Sequence, residues 1–342
     1  MSAVDERDAM ILAMERAATV RASTPPNPWV GAVLVHGGEV VGVGATEPPG
    51  GRHAEIVALD EAGERARGST LVVTLEPCSH HGRTPPCVEA VVAAGVSRVV
   101  VGVLDPDVRV SGRGVAALRA AGLDVDVLDG AGADAAAVEE QLGPYLHHRR
   151  TGRPYVVCKL AATLDGGIAA PDGSSQWITG TAARTDAHRL RAESDAIVVG
   201  AGTVRADDPS LTVRLVEGRD PRRVVLGRAP AGAKVHPCLE WTGDEADLLD
   251  HLGADGVLQV MIEGGSTVVR NFHGQGLVDR YVVYVAPALF GGRDQFPMLG
   301  GPTVPTIDDL WRGRFVGVRR VGDDLRVDVV PLGRAACSRG EV

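Results

Sequence analysis

Two α/β domains joined in tandem are what this sequence predicts, and three observations predict them. Apolar runs of four to seven residues alternate with amphipathic helical stretches along the whole chain, the signature of layered α/β units. A length of 342 residues suits two domains rather than one. A Gly-, Pro- and Arg-rich stretch, L-G-P-Y-L-H-H-R-R-T-G-R-P at 142–154, interrupts the alternation near the middle. The expected domains are 1–146 and 153–335, with a solvated linker face at His147 and His148.

The first half opens with a helix over 5–21, with Met10, Ala13, Met14 and Ala17 on one face. S-T-P-P-N-P-W ends it. V-G-A-V-L-V-H and E-V-V-G-V-G-A then form a hairpin around Gly37-Gly38. A helix from His53 to about Arg67 follows, then a strand at 70–75 and a second helix over 86–94. A buried strand at 97–104, a helix at 112–122, a strand at 123–128 and a helix at 133–142 complete this half. The second half restarts with the strand Y-V-V-C-K-L-A-A-T-L-D-G. It continues with a helix at 181–193, the strand D-A-I-V-V-G, a loop over 201–214 and the strand R-R-V-V-L-G. A helix at 244–252 and a strand running straight into a helix at 257–272 come next. Two closing strands, L-V-D-R-Y-V-V-Y-V-A and D-D-L-R-V-D-V-V, end the pattern.

Composition excludes several classes of function. The formal net charge is −9, whereas a nucleic-acid binder needs a basic surface. Four each of Trp, Tyr and Phe leave little for base stacking. No run of about 18 apolar residues is present, so neither a transmembrane helix nor a membrane partner is expected. The beginning, M-S-A-V-D-E-R-D, does not read as a signal peptide. Five cysteines then fit a reduced, cytoplasmic chain better than a disulfide framework, with Cys158, Cys238 and Cys337 as spare thiols.

The chemistry concentrates between Gly51 and Cys87. H-A-E at 53–55 is followed by a buried strand and then by E-P-C-S-H-H-G-R-T-P-P-C at 76–87. His53, Cys78 and Cys87 are the candidate metal ligands. Three N/S ligands with one open position describe a catalytic zinc, and thiolates disfavour Mg²⁺ and Ca²⁺. Glu55, beside a ligand but not one itself, is the candidate proton carrier. H-x-E followed by P-C-x-x-C marks zinc deaminases; here eight residues separate the two cysteines. Elsewhere no G-x-G-x-x-G and no G-x-x-x-x-G-K-[ST] occurs. The E-G-G-S-T turn at 263–267 nevertheless has the make-up of an anion site: a strand end, two glycines and free helix N–H groups.

Together these motifs resemble the bifunctional deaminase–reductase family of riboflavin biosynthesis over about residues 5–332. H-A-E, P-C-S-H-H-G-R-T-P-P-C with its long spacing, and P-N-P-W-V-G at 26–31 match the deaminase half. K-L-A-A-T-L-D-G, S-Q-W-I-T, A-D-D-P-S-L-T-V-R and E-G-G match the reductase half. The resemblance implies a cytidine-deaminase-like three-layer domain followed by a dihydrofolate-reductase-like domain. It implies one Zn²⁺ per chain, NADPH, small pyrimidine-nucleotide-like substrates and a homo-oligomer, dimer or tetramer. By the same resemblance, Asn27 and Arg83 contact the first substrate. Ser175, Arg191, Leu211, Arg214 and Glu263 contact the second, with the two arginines suited to its phosphate. Ala161, Trp177, Thr203, Asp207, Gly265, Ser266, Thr267, Val268, Val269, Arg270 and Asn271 contact NADPH.

The chain departs from the family in three places. Asp107 stands in D-P-D-V where D-P-N-P is usual. Gly227-Arg228 replaces Asp-Ser after its strand, which nominates Arg228 for the cofactor's 2′-phosphate. The segment Pro237–Asp247 is short, as though a strand–helix–strand unit were missing. Two other readings stay open at this stage. One keeps the deaminase with an inactive or altered reductase half. The other is a structural-zinc binding module, which needs a fourth ligand such as His80 or His81.

Overall fold

The computed structural model of the chain describes residues 3–79, 85–107, 110–130 and 132–332. Arg83, His80, His81 and Cys337 lie outside the described residues. Two compact units result, 1–151 and 152–342.

The first unit runs α1 (Glu6–Ala18), β1 (Gly31–His36), β2 (Glu39–Ala45), α2 (Ala54–Ala62), β3 (Thr70–Leu75), α3 (Cys87–Ala93), β4 (Arg98–Val103), α4 (Arg113–Ala120), β5 (Asp124–Val127), α5 (Ala133–Gln141) and α6 (Gly143–Thr151). Its sheet has the order β2-β1-β3-β4-β5. The β1–β2 hairpin and the β1–β3 pair are antiparallel, and β3, β4 and β5 are parallel. Val33, Leu71, Val73, Val99 and Val101 are fully buried, as central strands covered on both faces require.

One expectation fails here. Residues 143–151 are helix α6 rather than a solvated linker, and Pro144, Tyr145, Leu146 and His148 are buried in it. Pro144 sits in the first turn, where proline's missing N–H costs nothing. The buried face of α6 therefore belongs to the first unit's core, and His148 does not form a solvated surface.

The second unit runs β6 (Tyr155–Thr163), β7 (Gly167–Ala169), α7 (Thr181–Ala192), β8 (Ala196–Gly200), α8 (Ala201–Asp207), β9 (Arg222–Leu226), β10 (Leu239–Trp241), α9 (Glu245–Ala254), β11 (Gln259–Ile262), α10 (Ser266–Gly274), β12 (Arg280–Ala286), β13 (Phe296–Pro297), β14 (Gly313–Val321) and β15 (Asp324–Pro331). Eight strands form one sheet, β10-β9-β8-β11-β6-β12-β15-β14, and β13 pairs with β7. The strands from β10 through β12 are parallel, and β15 and β14 close the sheet antiparallel. The loop expected over 201–214 begins as helix α8, and the large sheet takes three strands after α10, not two: β12, β14 and β15. Within the short segment, β10 supplies the edge strand of the sheet beside β9.

Candidate active sites

The first site is built where β3 ends and two helices begin. His53 is the N-cap of α2 and Cys87 is the first residue of α3, after Pro86 has held the chain extended. His53 Nδ1 lies 3.2 Å from Cys87 Sγ and 3.6 Å from Cys78 Sγ. The three candidate ligand atoms lie within 4.8 Å of one another. The Cys87 backbone N–H donates to Cys78 Sγ at 3.3 Å. One imidazole nitrogen and two sulfurs are a donor set that fits Zn²⁺, and three ligands leave a position for water.

Close backbone approach brings these parts together. A Cβ on Gly44 of β2 would stand 2.0 Å from the Ala54 carbonyl, so only glycine lets β2 lie against the start of α2. Likewise a Cβ on Gly114 would stand 2.0 Å from the Pro77 carbonyl. Buried Glu76, two residues before Cys78, accepts from the N–H groups of Asp105, Gly112 and Val115. Tyr145 of α6 donates to Asp105 at 2.9 Å, and Asp105 accepts the Asp107 N–H at 2.9 Å. Asp107 thus sits in a turn fixed next to the Cys78 loop.

The electrostatics suit a metal and a proton carrier. The Cys78 thiol is held well below its ordinary value, chiefly by its hydrogen bond with Cys87 and further by His53. Cys87 in turn is pushed up by Cys78 and by burial. Glu55 is 4% exposed, and burial pushes its carboxyl up to about 7. A carboxyl in that range can both take and return a proton near neutral pH. Asn27 is half-buried in the turn before β1, with its N–H on the Thr24 carbonyl. The residues after it are pinned by Thr46 on the Val30 N–H and Thr74 on the Gly31 N–H.

The second site gathers at the C-terminal ends of β6, β8, β9 and β11, where parallel sheets bind ligands. Glu263 follows β11 directly and accepts from Arg191 at 2.7 Å and Lys159 at 3.3 Å. Burial would raise the Glu263 carboxyl, but Lys159 and Arg191 outweigh it and hold the group at about 2. Arg191 is 7% exposed and also donates to the Thr212 carbonyl at 2.7 Å. Among the described residues its buried Nε has no hydrogen-bond partner. The two arginines expected at a phosphate therefore differ: Arg191 is already engaged, whereas Arg214 is exposed above Ser210 and Thr212. Leu211 is 4% exposed with φ of 54°.

Gly265 and Thr203 meet across neighbouring strand ends; a Cβ on the glycine would lie 3.7 Å from Thr203 Oγ1. Ser266 and Thr267 form the first turn of α10. Val269 is fully buried in the core, and the Asn271 amide donates to Glu245 at 3.0 Å. Val268 is 8% exposed and packs with Val269 in the same core cluster, so these positions face the helix start with backbone rather than side chain. Arg270 lies against Gly301. Trp177 is 68% exposed, with the Arg184 guanidinium 4.7 Å from its ring centre. Ser175 is half-buried in the same strap, Ala161 is half-buried on β6, and Asp207 is exposed at the end of α8. Exposed Arg228 follows Gly227 directly after β9. Lys159 was not singled out from the sequence. The strand period could have found it, because Lys159 and Ala161 are the half-buried alternate positions of β6.

A zinc-deaminase unit followed by a reductase unit is the class of protein that this fold and these sites define. Residues 4–103 match the family "cytidine and deoxycytidylate deaminase zinc-binding region", and residues 154–327 match "RibD C-terminal domain". Riboflavin biosynthesis protein RibD of Mycobacterium tuberculosis H37Rv is 44% identical over 345 residues, 96% of this chain and 98% of that protein. The solved structure of Acinetobacter baumannii RibD, form 1, superposes with a TM-score of 0.86 at 36% identity, covering 95% of this chain and 98% of that one. A Thermotoga maritima structure, described as a diaminohydroxyphosphoribosylaminopyrimidine deaminase/5-amino-6-(5-phosphoribosylamino)uracil reductase, gives 0.83 at 32% identity, covering 95% and 98%. The chain belongs to the RibD family. It is a bifunctional enzyme of riboflavin biosynthesis, a deaminase with a zinc-binding unit and a reductase served by a nicotinamide cofactor. No helix among the described residues is long and apolar enough to cross a membrane.

Proposed function

We propose that the first unit converts 2,5-diamino-6-ribosylamino-4(3H)-pyrimidinone 5′-phosphate to the corresponding uracil with release of ammonia. The second unit then reduces the ribosyl group of 5-amino-6-(5-phosphoribosylamino)uracil to ribityl with NADPH. The observation that carries the reading is the convergence of His53, Cys78 and Cys87 within 4.8 Å beside buried Glu55. In this reading those three residues hold the zinc, which when bound supplies an activated water and a Lewis acid. Glu55 takes the water's proton, delivers it to the ring nitrogen and assists departure of the amino group. Asn27 and Arg83 orient the pyrimidine and its ribose phosphate.

In the second unit Arg214 takes the substrate phosphate, while Arg191 holds Glu263 and the Thr212 carbonyl in place. Ser175, Leu211 and Glu263 shape the remainder of that pocket. Ala161, Trp177, Thr203, Asp207 and the start of α10 from Gly265 to Asn271 line the cofactor cleft, with Arg228 at its adenosine end. When bound there, NADPH would supply the hydride for reduction at the ribosyl C1′. The domains divide near Thr151, and the enzyme works in the cytoplasm as a homo-oligomer. Four described cysteines, all free, support a reducing compartment.

Supplying the diaminopyrimidine phosphate with and without NADPH tests the reading, with products identified by mass. Ammonia and the ribosylamino uracil are expected without NADPH, and the ribitylamino product only with it. Formation of neither product refutes the proposal.

A further inference from the structure

The loop from Ser210 to Arg214 is held in one shape by contacts from outside it. Arg191 donates to the Thr212 carbonyl at 2.7 Å, and Asp220 accepts the Val213 N–H at 2.7 Å. The Arg214 N–H donates to His188 Nδ1 at 3.1 Å. Arg214 Nη1 itself reaches back to Ser210 Oγ at 2.5 Å and Thr212 Oγ1 at 2.9 Å, and those hydroxyls lie 3.1 Å apart. Two hydroxyls and a guanidinium thus share one face of the loop. The turn needs left-handed backbone at Leu211, φ 54°, which costs a residue with a branched side chain of this size free energy. A loop of that kind keeps its shape only where its surroundings fix it.

His188 and Arg191 lie three positions apart on α7, and both are buried. Arg191 fixes the loop's carbonyl side and His188 its N–H side. A backbone N–H can only donate, so Nδ1 accepts and the ring's proton is on Nε2. Burial, aided by Arg191 and Arg214, holds the His188 ring down at about 4, so it is neutral at physiological pH and keeps its acceptor. A cation beside two arginines would not serve; a neutral acceptor does.

We infer that His188 is a positioning residue of the reductase, whose imidazole fixes the Arg214 backbone so that the Ser210, Thr212 and Arg214 face is preformed for the substrate's phosphate. The inference rests on the reading of Arg214 as the phosphate contact. Losing one hydrogen bond that holds a recognition loop should weaken that recognition by roughly three- to tenfold.

The experiment measures reductase kcat and KM for the phosphorylated substrate and for its dephosphorylated riboside, together with inhibition by inorganic phosphate. It compares the full-length enzyme with H188Q, H188F and R214A. H188Q keeps an acceptor and H188F keeps bulk without one; H188A replaces H188F if the latter does not fold, and deamination by the same chain monitors integrity. The expected result is a several-fold rise in KM for the phosphorylated substrate in H188F, a matching loss of phosphate inhibition, little change for the riboside, and recovery in H188Q. Equal losses for both substrates, or an unchanged phosphate preference in H188F while R214A loses it, would overturn the positioning role. An unchanged preference in R214A would instead overturn the reading of Arg214, and this inference with it.

Discussion

His53 Nδ1 and Cys87 Sγ stand 3.2 Å apart although 34 positions separate them in the chain. Two helix starts achieve this, the N-cap of α2 and the first residue of α3. Each sulfur is within reach of a hydrogen-bond donor before any metal arrives, so little rearrangement is needed to bind one. Cys87→Ser should therefore lower zinc affinity by more than about 100-fold, since even the loss of supporting contacts costs about 10–100-fold. Zinc content and ammonia release should fall together while the reductase rate is kept. Full zinc occupancy in the variant would show that Cys87 is not a ligand.

Glu55→Gln separates proton transfer from metal binding. The amide keeps the size of the side chain but cannot carry a proton. Deamination should drop by about 10²-fold or more, with zinc content unchanged. Should the metal be lost as well, Glu55 belongs among the ligands.

How far these sites could be read from the sequence depends on how local each feature is. H-A-E and the P-C…P-C loop are short and sit on helix starts, so their geometry follows from local rules. Helix α6 was misread because Gly143 and Pro144 look like a break; in the first turn they begin a helix instead. Strand β14 was missed because five arginine and glycine positions dilute its apolar pattern, and a bulge between Phe315 and Gly317 shifts its register. The engagement of Arg191 with Glu263 was out of reach for another reason. Helix α7 and strand β11 bring them together across 72 positions, and only tertiary packing decides which arginine remains exposed.

The boundary at Thr151 leads to a separable deaminase. Residues 1–151 contain α6, whose buried residues pack in the first unit, and the whole zinc site. A fragment ending at Thr151 should be soluble, bind zinc and deaminate, measured by metal content and ammonia release. One ending at residue 142 should not, because it lacks Tyr145 and its hydrogen bond to Asp105. Equal activity of the two fragments would make α6 dispensable.

In the reductase unit, buried Asp186 accepts from Tyr284, Arg319 and Arg326 at 2.7–2.8 Å. Burial would raise its carboxyl, but these donors outweigh it and hold the group at about 2, below the ordinary 3.8. The folded state therefore binds fewer protons than the unfolded one through this window. Its contribution is complete above the ordinary value and is lost as pH falls from about 4 towards 2. Asp186→Asn should destabilise this unit by roughly 1.5–3 kcal/mol at neutral pH, because Tyr284, Arg319 and Arg326 lose a charged acceptor, although Arg326 keeps Asp328. Urea unfolding at pH 7 and pH 3 measures both effects; the gap between wild type and variant should narrow at the lower pH.

Arg228 is expected to govern the choice between NADPH and NADH in the proposed cofactor cleft. It follows Gly227, whose N–H donates to the Trp241 carbonyl at 2.7 Å, so β9 and β10 together fix where the arginine emerges. The nearest carboxylate on β10, Glu240, is turned onto the Ala229 N–H at 2.9 Å, which anchors the turn immediately after Arg228. The exposed guanidinium is thereby left at a strand's C-terminal end, where open α/β sheets bind ligands. A guanidinium there can fork onto a 2′-phosphate and stack on the base. Arg228→Ala should weaken NADPH by roughly 1.5–3 kcal/mol, the range for a hydrogen bond to a charged group, and NADH much less. The ratio of kcat/KM for the two cofactors, in wild type and variant, is the measurement. An unchanged ratio would remove Arg228 from the cofactor site and leave phosphate recognition to the start of α10.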